Sequence, residues 1–562
     1  MRSRSLQPPS PGFPAAIGLI LALSAVGLTY EIAAGRVLAP FFGTSLVTWT
    51  AVIAIVLAGF SIGSALGGLV AEKPRSLALR DARLALVGTA ILSGLTPTVL
   101  GLVYALGARG TGGMVVAALI AFGPASVLVT IPSPLLAKLA VESRPGREGS
   151  SLGLVLAAGS VGAIVGAVLA GFALLPLIGS VATFVGCGVA ALLRVPFLIE
   201  RGDGADDARG HGRAADDVIA SDAREDRAVV NREGRAGNEG PSHAPSSSRS
   251  PSPASSPATS PTGPVLVAGL VLTVAAVGPS PCSHESGLSC INIVRGDGAV
   301  NLFSDRGWQA AEPLGAATGG DADGSDVELV LPYTRWIRAR MAHDLAGTTD
   351  PADGPRALFV GGGGYTLPTA LLRSRPDARA VAVEIDPLIT RVVHENLPWA
   401  GATIAREAVP DGRLAIVHAD GRTFLNEASE AVGDGPGENL EDHARFDAAV
   451  MDAFSSGSVP AHLVTLEAFA RVRAIVDGPV YVNLIDRPDG PLARGVHAVL
   501  TQLWPHVEAV RGPLGLTGRT NTVMTASPTP IEPIDELPDG YARTTITPAR
   551  AFTDDRGWTG HR

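Results

Sequence analysis

Residues Ala357 to Leu372 read ALFVGGGGYTLPTALL: an apolar run, four consecutive glycines, then a stretch with helical spacing. A buried strand turning tightly into a helix needs permissive backbone angles. A ligand lying against that turn needs side chains to be absent. Outward from this stretch the same alternation repeats. RAVAVEID (379–386), LAIVHAD (414–420), FDAAVMDAF (446–454) and PVYVNLID (479–486) are apolar runs, each followed by a helical segment. HVEAVRG (506–512) and NTVMTAS (521–527) suit a closing pair of strands. The pattern predicts a parallel α/β sheet covered by helices on both faces, over residues 355–530.

In such sheets ligands bind beyond the carboxyl ends of the strands. Glu384 ends the second run, where nucleotide-binding sheets place an acid on ribose hydroxyls; a carboxylate accepts from both vicinal hydroxyls. Asp420 ends the third and suits an adenine amino group, and Asp452 ends the fourth. Three acids at successive strand ends point into one crevice, although each is also a residue that caps helices. No Gly-x-x-x-x-Gly-Lys-Ser/Thr occurs, which disfavours a nucleoside triphosphatase. Thr366 stands where the dinucleotide fingerprint has its last glycine, so an adenosine without pyrophosphate fits better, as in a nucleoside with a sulfonium tail. His394, His418 and His462 are expected at the surface or in packing rather than as bases or ligands.

The first third reads differently. Of the 562 residues 46% are hydrophobic and only 17% charged, and the excess lies near the N-terminus. About twenty apolar residues cross a hydrocarbon core as helix. Such stretches run over 13–42 and near 45–71, 84–107, 114–141, 151–177 and 180–199, which predicts a six-span helical bundle over 1–200. A shorter stretch at 264–280 is a seventh candidate. A cleaved signal peptide is the rival for the first segment, but the repetition of the pattern speaks against it. Gly59, Gly63 and Gly67, and then Gly162 and Gly166, fall at the spacing that lets helices approach closely in lipid. Glu31 and Arg36 form either an ion pair lining a pathway or a pair at the interface.

Basic residues give an orientation. Arg2 and Arg4 precede the first span, Lys73, Arg75, Arg80 and Arg83 follow the second, and Lys138, Arg144 and Arg147 follow the fourth, whereas only Arg109 follows the third. The N-terminus is therefore expected in the cytoplasm. Six spans leave the C-terminal half there too; a seventh puts it outside. Cys282 and Cys290 are either a small-loop disulfide, which implies an oxidising side, or two unrelated thiols. No metal site is expected, because no Cys-x-x-Cys or histidine pair completes four ligands.

Residues 201–263 are charged, then rich in Ser and Pro, and predict a disordered linker. INIVRGDGAVNLFSDRG (291–307) predicts a hairpin within a small β-domain at 284–350. Residues 531–562 are set apart as a tail. A net charge of −9 argues against nucleic acid as a partner.

The motifs LFVGGGGYTLP, VAVEID, HADGRTFL and MDAFSSGSVPAHLVTLEAF resemble the spermidine synthase family of aminopropyltransferases, and with the apolar N-terminal third they resemble its membrane-fused members. The resemblance implies a small β-domain and a Rossmann-like, methyltransferase-type sheet. By similarity Gly361 and Gly363 approach the nucleoside, Glu384 holds the ribose, Asp420 and Gly421 flank the adenine, and Asp452 is catalytic. It implies decarboxylated S-adenosylmethionine as donor substrate, with no tightly bound cofactor, and a diamine such as putrescine as acceptor. It also implies a multi-pass protein of the cell membrane in contact with lipid; a homodimer is allowed for. An S-adenosylmethionine-dependent methyltransferase, or a transporter or sensor with an inactive nucleoside domain, are the alternatives. Two positions depart from the family: Gly364 and Ser455 stand where soluble spermidine synthases have aspartates that hold the diamine. Asp486 is the candidate replacement.

Overall fold

The computed structural model describes residues 12–42, 46–198, 262–278, 280–305, 307–314, 329–347, 354–410, 412–433, 445–453, 459–515 and 518–556. Nearly all of the expected linker lies outside the described residues, as do Ser455 and its neighbours.

The N-terminal part is a helical bundle of α1 (Phe13–Phe42), α2 (Leu46–Glu72), α3 (Arg75–Ala105), α4 (Gly110–Thr130), α5 (Pro132–Glu142), α6 (Glu148–Leu169) and α7 (Leu175–Leu192). Among the described residues five helical stretches are long and apolar enough to cross a membrane, the last being Glu148–Leu198. That stretch has 51 residues, about 76 Å of helix, more than twice a hydrocarbon core of about 30 Å. It breaks at Gly179 (φ 77°, ψ 176°). Its two arms meet α1 in opposite order. Gly162 abuts Leu21 and Gly166 abuts Ala25, whereas Cys187 lies by the Val26 carbonyl and Arg194 donates to the Ala22 carbonyl. The chain therefore reverses at Gly179.

Small residues seat the helices as their spacing predicted. A Cβ at Gly59, Gly63 or Gly67 would collide with Ser126, Val127 or Ile131 of the α4–α5 segment. Leu57, Ile62, Leu69, Ile164 and Leu177 stand exposed on the outside of the bundle, an apolar surface suited to lipid. The expected Glu31–Arg36 pair is not formed among the described residues. Arg36 donates instead to the carbonyls of Ser286 and Leu288, at 3.0 and 2.9 Å, and one Glu31 oxygen has no hydrogen-bond partner.

A further apolar helix, α8 (Thr262–Val277), matches the seventh candidate and leads into a four-stranded antiparallel sheet: β1 (His284–Glu285), β2 (Cys290–Gly296), β3 (Ala299–Ser304) and β4 (Gly307–Pro313). Cys282 and Cys290 form a disulfide. The hairpin predicted at 291–307 is β2–β3, turning through Asp297 (φ 50°) and Gly298 (φ 75°), the left-handed pair that a two-residue hairpin loop needs. Helix α9 (Pro332–Asp344) follows and was not anticipated.

The large sheet has the order β12-β10-β11-β9-β8-β5-β6-β7. Its strands are β5 (Arg356–Val360), β6 (Arg379–Val383), β7 (Leu414–Val417), β8 (Ala448–Met451), β9 (Val480–Asp486), β10 (His506–Arg511), β11 (Thr520–Ser527) and β12 (Ala542–Arg543). β5 to β9 are parallel, and β11 and β10 close the sheet antiparallel as the sequence suggested. The helices between them are α10 (Thr366–Ser374), α11 (Pro387–Asn396), α12 (Pro398–Glu407), α13 (Gly421–Gly433), α14 (Leu466–Ile475) and α15 (Pro491–Leu503). β5 and β8 are neighbours although two strands separate them in sequence, so the strand order switches between them. The core divides into two layers, one around Phe359, Val392 and Tyr481, the other around Leu358, Phe469 and Val496. Burying a side chain of this size is worth about 1.5–3 kcal/mol.

Two contacts lock other parts to this sheet. Glu312 of β4 accepts from the main-chain N–H groups of Trp399 and Ala400, at 2.6 and 3.0 Å, and so caps α12. Residues set apart as a tail run back over the sheet: β12 pairs with β10, and Asp554 binds Arg422 at 2.7 Å.

Candidate active site

Main-chain bonds align the strand ends. Gly361 N–H donates to Val383 O (2.9 Å), Glu384 N–H to Val417 O (3.0 Å) and Asp452 N–H to Val360 O (2.9 Å). Asp452, the glycine turn and Glu384 thus follow β8, β5 and β6 along one edge, with Asp420 beyond β7. Neighbouring strands lie about 4.8 Å apart, so the three acids are strung over roughly 14 Å. That suits an elongated ligand laid across the strand ends rather than a single ion.

The glycines divide the work among themselves. At Gly361 (φ 101°) a Cβ would lie 2.5 Å from the Asp452 carbonyl oxygen. At Gly362 it would lie 2.9 Å from Glu384 Cβ, and at Gly364 it would overlap the Cβ of Ala310 in β4. Only Gly363 (φ 49°) faces open space, its nearest neighbour being Gln309 Oε1 at 3.9 Å. The sequence reading put both Gly361 and Gly363 against a ligand. Protein main chain fills the Cβ side of Gly361, and the Cβ side of Gly363 is open.

Glu384 is held by two backbone donors: Gly363 N–H to Oε2 and Asp386 N–H to Oε1, both at 2.9 Å. Burial pushes its pKa up, and these donors oppose the shift. Each oxygen keeps acceptor capacity for a hydroxyl. Asp386 is fixed in turn: its side chain accepts from Leu388 N–H, capping α11, and from the hydroxyls of Ser286 (2.5 Å) and Ser289 (2.7 Å). Arg36 bonds the Ser286 carbonyl, so an unbroken chain of contacts runs from α1 to Glu384. Glu384→Gln keeps the size but replaces one acceptor with a donor facing a backbone N–H. With Glu384 proposed to hold the ribose, the change is expected to weaken nucleoside binding about ten- to hundredfold in isothermal titration; unchanged affinity would remove Glu384 from the proposed site.

Asp452 sits between two side chains from distant elements. Tyr333 of α9 donates its hydroxyl at 3.0 Å, and Asn483 of β9 donates its amide at 2.8 Å. Asn521 of β11 then donates to Asn483 Oδ1 at 3.0 Å, which sets the orientation of that amide. Burial pushes the Asp452 carboxyl up to about 7, against the pull of Asn483 and Tyr333. A carboxylate balanced near neutrality is suited to exchange a proton with an amine. Tyr333 and Asn483 had not been singled out. Tyr333 lies in no motif and Asn483 sits unmarked inside the apolar run 479–486; the fold brings each to Asp452.

Asp420 caps α13, accepting from the N–H groups of Arg422 and Thr423 at 2.9 and 3.2 Å. Its other oxygen meets His462 Nε2 at 3.0 Å, and His462 lies half-exposed at the surface. His418 bonds Thr390. Gly421 packs on Val360 and Leu463. Asp486, proposed as a replacement acceptor ligand, is committed elsewhere: it accepts from Arg487, Leu492 and Ala493 N–H at 2.7, 2.9 and 3.1 Å and caps α15. Asp suits a helix cap as well as a ligand site, and here capping wins.

No family model matches the chain. A curated polyamine aminopropyltransferase from Vibrio vulnificus is 23% identical over 154 residues, which cover 27% of this chain and 42% of that protein's length. Among solved structures, a probable spermidine synthase from Corynebacterium glutamicum is 20% identical, with a TM-score of 0.34, covering 45% of this chain and 81% of that one. A spermidine synthase in complex with the transition state analogue AdoDATO is 16% identical, with a TM-score of 0.32, covering 45% and 75%. Human methyltransferase-like protein 13 in complex with SAH is 22% identical, with a TM-score of 0.28, covering 37% and 86%.

Proposed function

We propose that the chain is a multi-pass membrane protein whose C-terminal half is an aminopropyltransferase, moving an aminopropyl group from decarboxylated S-adenosylmethionine to an amine such as putrescine. The observation that carries this is Asp452, a buried carboxyl near neutrality, beside the glycine turn and in line with Glu384. The similarity to a polyamine aminopropyltransferase supports the same reading, over part of both chains.

In this mechanism Glu384 holds the ribose hydroxyls, Gly363 leaves room for the nucleoside, and Asp420 with Gly421 borders the adenine. Asp452 accepts the proton of the attacking amine while Tyr333 and Asn483 keep its oxygens in place. The amine nitrogen forms a bond to the carbon next to sulfur, and that carbon–sulfur bond breaks. Its electron pair stays on sulfur, leaving neutral 5′-methylthioadenosine. The sulfonium is already a good leaving group, so alignment supplies most of the acceleration. Gly364 has no space for the acceptor-holding aspartate of the soluble enzymes, which leaves Asp452 as the carboxylate the acceptor meets among the described residues. The bundle holds the enzyme in lipid, its last long stretch crossing twice, for six crossings before the linker.

Full-length protein in nanodiscs, given labelled donor and putrescine, is expected to release 5′-methylthioadenosine. Tighter binding of S-adenosylmethionine than of its decarboxylated form, with methyl transfer, would overturn the reading. The rate is expected to rise as pH passes through about 7, where Asp452 loses its proton. A flat profile between pH 6 and 8 would remove it as the base.

A further inference from the structure

The route of the chain through the bundle shows which face carries the C-terminal half. α1 sets the direction: its first half lies in one apolar cluster, with Ala16 and Leu19, and its second half in another, with Val37 and Leu38. At the starting face Lys138 donates to the Ala71 carbonyl at 2.7 Å, and Arg144 lies 3.6 Å over the Phe13 ring. The two basic segments, 73–83 at the α2–α3 junction and 138–147 at the α5–α6 junction, are therefore together there. α7 returns to the same face, since Val195 and Leu198 share the cluster of Ala16. α8 begins in that cluster with Ala268 and passes Gly94 and Gly188 at Leu272.

The exit of α8 lies at the other end. Glu285 of β1 accepts from Ser180 N–H (2.9 Å) and Oγ (3.1 Å), beside the reversal at Gly179. Arg36, late in α1, holds the next residues by their carbonyls. The 16 residues of α8 rise about 24 Å, about one turn short of a hydrocarbon core of about 30 Å. The Cys282–Cys290 disulfide lies just past this exit.

We propose that the nucleoside site faces the non-cytoplasmic side of the membrane, because α8 carries the chain from the face of the basic loops to the face that bears Arg36, Gly179 and the disulfide. Two signals of different origin agree. Basic loops stay in the cytoplasm, and disulfides persist where the surroundings oxidise. The inference rests on the membrane-embedded part of the reading above, not on its transferase part. A sulfonium nucleoside carries a fixed charge and does not diffuse through hydrocarbon. A donor made in the cytoplasm must therefore reach this site by a carrier-mediated translocation.

The test uses the full chain in intact cells, with a phosphatase reporter that needs its own disulfides to fold. Fused after the C-terminus it is expected to be active; inserted into the linker between α7 and α8 it is expected to be inactive. A fluorescent reporter that matures only in the cytoplasm gives the reverse pattern. In parallel, Cys282 and Cys290 are expected to resist a membrane-impermeant thiol reagent until reduced, then to react. An inactive C-terminal phosphatase, or thiols that react only after lysis, would overturn the assignment. Release of 5′-methylthioadenosine, measured separately, reports on the enzymatic reading whichever way the reporters point.

Discussion

Asp452→Asn is expected to lower aminopropyl transfer by about 10²–10⁴-fold while leaving nucleoside affinity unchanged within about twofold. The substitution keeps the size and both contacts. The amide oxygen still accepts from Asn483, and the amide nitrogen donates to the Tyr333 hydroxyl, so the local contacts are preserved and only the proposed base is lost. Stability gives an independent readout. A folded-state pKa of about 7 exceeds the unfolded value of about 3.9, so the folded chain holds the proton more tightly. Its stabilising contribution is complete below about pH 4 and is lost as pH rises through about 7, on the order of 4 kcal/mol for a shift of about three units. Asn does not titrate. The variant should therefore unfold later than the parent at pH 8 and show a smaller difference at pH 5, as read by thermal melts. A variant that is inactive and also melts early at pH 8 would mean a packing role, not a proton-transfer one.

Gly364→Asp carries the second large effect, and its direction is contrary to what the family resemblance suggests. Restoring the aspartate of the soluble enzymes ought to improve amine binding, yet a Cβ at this position would overlap the Cβ of Ala310. β4 and the glycine turn would have to part, which costs about 1–3 kcal/mol or more and displaces Gly363 with its bond to Glu384. Activity and melting temperature are both expected to fall. Adding Ala310→Gly removes the obstructing methyl and should recover most of the stability. If the single variant is as stable as the parent, the close approach of β4 to the turn is wrong.

The parallel strands were legible because strands buried on both faces read as unbroken apolar runs, as in Leu358–Val360 and Ala380–Val383. Bundle packing was legible from glycines four residues apart. Helix α9 was missed because Arg335, Arg338 and Arg340 give it a polar look, although Trp336 and Arg340 are fully buried. The acids at strand ends could be found from their position in the period. Tyr333 and Asn483 could not, since 119 and 31 residues separate them from Asp452. Asp486 misled for a related reason: a strand-end aspartate looks the same in sequence whether it faces a ligand or the first turn of the next helix.

The chain of contacts from Arg36 through Ser286 and Asp386 to Glu384 has a practical corollary. An isolated C-terminal part, cut after α8, would retain every residue assigned to the proposed site yet lose the guanidinium that tethers the 286–288 turn. On the proposed function, such a fragment should bind the nucleoside less tightly than the intact chain, and lipids that alter the tilt of the first helix should tune the affinity of the proposed site from a distance.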